Sequence, residues 1–213
     1  MSKENEAVIL SAARTPIGKF QGALSSVPAT KLGAIAVQEA VKRAGINPKD
    51  IEEIIMGNVV SAGLGQAPAR QSGIYANVPE TVSATTINKV CGSGLKAAMM
   101  ASQAVRAGDA DLFIAGGFES MSRAPYLVNG RMGELKFGNT QMTDALLSDG
   151  LWDPFENWGM GMAAEFIGDE YEVTRQAMDE FALQSHLKAV TASEAGYFAD
   201  EIVPVEILGR KEI

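Results

Sequence analysis

Cysteine and histidine are nearly missing from this sequence, which holds one of each in 213 residues. A single cysteine excludes an internal disulfide and fits a reducing compartment. Basic charge is also short: 18 lysines and arginines face 26 acidic residues, a net charge of -8 that argues against nucleic acid or an anionic membrane as partner. No apolar run has the length of a membrane span, and the opening eight residues lack a signal-peptide core. These shortages predict a soluble, cytoplasmic protein. What is abundant is apolar: 46% hydrophobic against 21% charged residues supplies a sizeable core for one or two domains.

The only thiol, Cys91, sits where two patterns meet. Upstream, Val82, Thr85, Thr86, Ile87 and Val90 give the β-branched density of a strand. Downstream, Leu95, Ala98, Met99, Ser102 and Val105 recur at three- and four-residue intervals, and Gly108 supplies a helix stop. Gly92 and Gly94 clear side chains from the junction. The spacing therefore predicts Cys91 at, or within a residue of, a helix N-terminus, where free N–H groups and the helix dipole favour a thiolate. Free cysteines are more often buried packing residues than nucleophiles, and position alone does not separate the two.

Along the rest of the chain, strands are expected at 7–12, within 51–60, and at 112–117, with helices at 28–45 and 68–77. Strand, helix, strand in alternation implies right-handed crossovers and a largely parallel sheet. Residues 123–158 keep neither period and contain Pro125, Pro154 and scattered glycines, the marks of a covering loop. Thr174 caps a last long helix with Met178, Phe181, Ala182 and Ala189 at helical spacing, and residues 201–208 form a terminal strand. His186 lies in that helix and is read as structural or exposed. Two glycine motifs resemble dinucleotide fingerprints. Pro68 occupies the third-glycine position of the first, and the second, at Gly159 and Gly161, follows residues 153–157, which do not read as a strand.

The run Asn88-Lys89-Val90-Cys91-Gly92-Ser93-Gly94-Leu95-Lys96-Ala97 resembles the nucleophile motif of the thiolase family, the acetyl-CoA acetyltransferases and 3-ketoacyl-CoA thiolases. Related condensing enzymes carry a Cys-Ser-Ser type turn instead. Two further segments resemble the family: Ala13 to Phe20, similar to the segment after its first strand, and Gly116 to Ser122, similar to its Gly-Gly-x-Glu-Ser-Met-Ser run.

That resemblance implies a thiolase-like α/β fold, with a mixed, largely parallel sheet and helices on its faces. It implies a core domain at 1–121 and part of a loop domain at 122–213, the C-terminal core domain being absent. It implies acyl transfer through a Cys91 acyl-enzyme, with coenzyme A as substrate or product, no other cofactor and no metal. Leu151 and Met160 fall at family positions lining the pantetheine tunnel, though Gly159 stands where the family has histidine. A homo-oligomer is implied, as is a missing half that carries the base and a second cysteine. The anionic coenzyme requires local positive charge that the sequence does not locate. A non-catalytic acyl-CoA-binding or assembly module is the alternative.

Overall fold

The computed structural model describes residues 6–132, 135 and 137–207. Its first α-helix, α1 (Ala29–Ala44), begins after Pro28, which fixes an extended approach, and ends at Gly45, whose φ of 64° only glycine adopts without strain. Then follow β1 (Glu53–Gly57), α2 (Pro68–Tyr75), β2 (Ser83–Ile87), α3 (Ser93–Ala107) and β3 (Phe113–Gly117). The three strands form one parallel sheet in the order β2-β1-β3. β1 lies in the middle and is buried on both faces, so it reads as the continuous apolar run Ile54-Ile55-Met56 rather than an alternating one.

Alternation within β1 divides the core. Ile54 and Met56 join Ala29, Val37, Ala69 and Phe118 in a cluster of eleven buried residues on the α1 and α2 side, whereas Ile55 meets Ala97 and Ala101 of α3 on the other. The face that α3 buries is Ser93, Ala97 and Ala101, one small residue per turn. The larger apolar stripe of that helix points outward, with Leu95 71% and Met99 48% exposed.

Two expected strands are not formed. Residues 7–13 and 203–207 carry no strand, and the two segments meet at a single parallel bridge between Arg14 and Ile202. Arg14 N–H donates to the Glu201 carbonyl and Val203 N–H to the Arg14 carbonyl, but the next donor the ladder needs on the first segment is at Pro16, which has no N–H to give. The Arg43 guanidinium takes the Ala12 and Asp200 carbonyls at the other end. Val8, Ile9 and Leu10 stay exposed as a result. Leu208, the expected end of the terminal strand, lies outside the described residues.

The stretch expected to lack structure contains two short antiparallel pairs: β4 (Tyr126–Leu127) with β5 (Thr143–Asp144), and β6 (Trp152–Asp153) with β7 (Trp158–Gly159). A π-helical turn, Leu147–Leu151, separates them. The hairpin β6–β7 leads into α4 (Met160–Glu170), so a two-residue antiparallel ladder stands before the second glycine motif where a dinucleotide site needs a parallel strand. α5 (Arg175–Glu194) begins with the Thr174 hydroxyl accepting from Ala177 N–H at 3.2 Å. None of α5 is buried, and its apolar stripe faces solvent, Phe181 being 78% exposed.

A candidate active site at the cysteine elbow

The carboxyl ends of β1 and β3 and the start of α3 converge on one small volume, and glycine makes the convergence possible. A Cβ built on Gly57 would stand 2.5 Å from Ser93 Cβ, and one built on Gly94 would touch the backbone of Gly116 and Gly117 at 3.7 Å. The helix start is thus seated almost on the strand ends, the position at which parallel sheets present ligands.

Cys91 is exposed, one residue before Gly92, the N-cap of α3. The turn that carries it is held by three side-chain contacts. Ser93 Oγ accepts from Lys89 N–H at 2.8 Å and donates to the Val90 carbonyl at 2.6 Å, closing a ring around the cysteine. Asn88 Oδ1 accepts from Val90 N–H at 2.9 Å, an Asx turn. Val90 itself has φ of 46°, a left-handed conformation costly for a β-branched residue, and strain of this kind persists only where the surroundings over-determine it. No side chain caps the helix, although the first N–H groups at its head are turned back into the elbow, Gly92 N–H donating to the Lys89 carbonyl and Ser93 N–H to the Val90 carbonyl, each at 3.1 Å.

Behind the turn lies a polar pair, Asn58 buried and Glu119 half-buried. Asn58 follows β1 and is 2% exposed; its Nδ2 donates to Glu119 Oε1 at 2.8 Å and to the Phe118 carbonyl at 3.2 Å. Glu119 Oε2 accepts from Val59 N–H at 2.8 Å, and Oε1 from Val60 N–H at 3.3 Å. Burial is the largest influence on this carboxyl and pushes it above the usual carboxylate range, against the Val59, Val60 and Asn58 donors that pull it down.

Leu151 and Met160 flank one rung of a hairpin, because Trp152 pairs with Gly159 and each lies one residue outside that pair. Leu151 packs on Val60, Ala145 and Leu146 and lines a cleft of about 730 Å³ that it shares with Arg14, Phe20, Gly117 and Glu119. Met160 opens α4 and is 45% exposed. Neither Met160 nor Cys91 lines that cleft among the described residues. His186 is exposed on α5. Among the described residues no group of three histidine, cysteine or acidic side chains is placed to hold a metal.

The sequence singles out Cys91, Leu151 and Met160; the part-buried Asn58–Glu119 pair, the Ser93 ring and the strain at Val90 are additional. Asn88 and Ser93 had a local signal, since an Asn two residues before a tight turn and a Ser at a helix start are turn-formers. The strain had none, because a valine does not advertise a positive φ.

The chain matches the family described as thiolase, N-terminal domain, over residues 7–213. It is 50% identical over 206 residues to an acetyl-CoA acetyltransferase of Cupriavidus necator, covering 97% of this chain and 52% of that protein. A cytosolic acetyl-CoA acetyltransferase of Gibberella zeae is 52% identical over 202 residues, covering 94% and 50%. The crystal structure of the Acat5 thiolase of Ascaris suum in complex with coenzyme A superposes with a TM-score of 0.89 at 45% identity, over 94% of this chain and 52% of that one. The chain spans about half the length of the curated relatives it matches.

Proposed function

The chain belongs to the thiolase family through its N-terminal domain, and from that premise we propose that it is the nucleophile-bearing half of an acyl-CoA acyltransferase. The Cys91 thiolate attacks the carbonyl of an acyl-CoA or 3-ketoacyl-CoA, forming an S-acyl-enzyme. Coenzyme A thiol, or the enolate of acetyl-CoA, leaves. In the second step the acyl group passes from Cys91 to coenzyme A or to the carbon of an acetyl-CoA enolate. The Cys91 N–H, at the head of α3, serves as one donor to the oxyanion of each tetrahedral intermediate.

The observation that carries this reading is an exposed thiol at the head of a helix that no side chain caps, seated by glycines on the ends of parallel strands. A cysteine retained for packing would be buried. Leu151 and Met160 contact the pantetheine arm in this reading, with residues 122–213 as part of a covering loop domain and 1–121 as the core domain. The absence of any other cofactor, a cytoplasmic location, a role in fatty-acid metabolism and a homo-oligomeric assembly belong to the same proposal.

The chain alone is expected not to turn over. Its one histidine is on an unburied helix, and its one cysteine is the nucleophile, so neither the base nor a second thiol is supplied. The outward stripe of α3 suits a second half that brings both. Intact mass after incubation with acetyl-CoA tests the proposal, with and without the C-terminal half of a relative. A 42-dalton gain, the mass of an acetyl group replacing a hydrogen, is expected on the wild type and lost in Cys91→Ser. Acetyl-CoA binding with no adduct under either condition would favour a non-catalytic binding module. Size-exclusion chromatography with light scattering reads the assembly.

A further inference from the structure

The polar contacts behind the elbow form one unbroken path. Glu119 follows β3, and its carboxylate accepts from the backbone N–H groups of Val59 and Val60 at 2.8 and 3.3 Å, fixing the loop that leaves β1. The Val59 carbonyl in turn accepts from Asn88 Nδ2 at 3.4 Å. Asn88 Oδ1 accepts from Val90 N–H at 2.9 Å, and Val90 is the strained residue next to Cys91. A second strand of the same path runs through Asn58, whose N–H donates to the Ile87 carbonyl at 3.0 Å while its Nδ2 donates to Glu119.

The chemistry of the acceptor matters. Three N–H donors converge on two oxygens, which a carboxylate satisfies and a carboxamide does not, since its NH2 group would face a donor. Asn58 registers the pull: both protons of its amide end face acceptors, while Oδ1 is buried without a partner among the described residues. An unpaired buried oxygen carries a desolvation cost that the carboxylate contact on the opposite end offsets.

We infer that Glu119 is a positioning residue for Cys91, acting through the Val59 backbone and Asn88 to hold the turn at Val90 in the conformation that sets the thiol at the head of α3. Glu119 touches no reacting atom in this role. The inference rests on the reading of Cys91 as the acyl acceptor, but its test does not, because alkylation needs only the thiol.

The test is the rate of iodoacetamide alkylation of the whole chain, followed by mass across a range of pH. Cys91 is the only cysteine, so the adduct is unambiguous. Glu119→Gln and Asn88→Ala are each expected to slow the reaction at neutral pH about five- to tenfold, the size of a helix-terminus interaction. The double variant is expected to be no slower than the slower single one, since both cut the same path. Urea midpoints report the fold separately. Asn88 is exposed, so Asn88→Ala keeps the test alive if Glu119→Gln does not fold. Alkylation of either folded variant at the wild-type rate overturns the inference. So does a double variant in which the two effects multiply. Faster alkylation in Glu119→Gln also overturns it, because removal of a nearby negative charge would then be the whole effect. Positioning that passes this test in a chain that acetyl-CoA does not acylate would refute the acyltransferase reading alone.

Discussion

On one face of the sheet, α1 and α2 cover a cluster of eleven buried apolar residues that includes Ile54 and Met56; on the other, α3 rests on Ile55 through Ala97 and Ala101. The first face spends large side chains on filling volume. The second spends small ones on distance, bringing a helix start close enough that Gly57 and Ser93 leave no room for a methyl between them. The difference teaches that stability and placement are assigned to opposite sides of one strand, residue by residue along β1.

Substitutions can break or sharpen that division. The largest effect is expected from Ile54→Ala, which empties a site 2% exposed on the filled face; a loss of about 3 to 4 kcal/mol by urea unfolding is expected, with alkylation of Cys91 in the remaining folded chain unchanged. Gly57→Ala should cost less, about 2 kcal/mol, but slow alkylation severalfold, because its methyl meets the Ser93 backbone and must push α3 off the strand ends. If the two variants lost stability equally and neither touched the thiol, the division would be wrong. Val90→Gly should reverse the sign: relief of a φ of 46° outweighs the extra freedom of glycine in the unfolded chain, for a net gain of about 0.5 kcal/mol, again with slower alkylation. Smallest of all, Met99→Ser on the outward stripe of α3 should change the stability read by urea unfolding by under about 0.5 kcal/mol, since that side chain is 48% exposed.

The alternating core was legible in the sequence because local pattern and burial agree there. Pro28 and Gly45 bracket α1, and the β-branched run before Cys91 becomes β2. The resemblance carried by residues 88–97 located the thiol. Two expected strands, at 7–12 and 201–208, read well by composition, yet the segments meet only at Arg14 and Ile202, and the missing donor of Pro16, where the ladder stops, matters only once the two segments are known to be neighbours. The stripe of Leu95 and Met99 on α3, and that of Phe181 on α5, have helical spacing yet face outward, because periodicity says that a face is apolar and not what lies against it. Glu119 and Asn58 are 61 positions apart, and no local signal joins them. Leu151 and Met160 were paired by resemblance; the β6–β7 rung that brings them side by side is visible only in the fold.

The register of the sheet also sets a timetable. Glu53 pairs with Ser83 and with Phe113, 30 and 60 positions later, so the central strand must wait for both neighbours to be made. At translation rates of about 5 to 20 residues per second, the 26 residues from Gly92 to Gly117 take about one to five seconds to emerge. During that interval Gly94 has no strand end to rest on. A nascent chain therefore carries its single thiol on a turn that is not seated until β3 has been made.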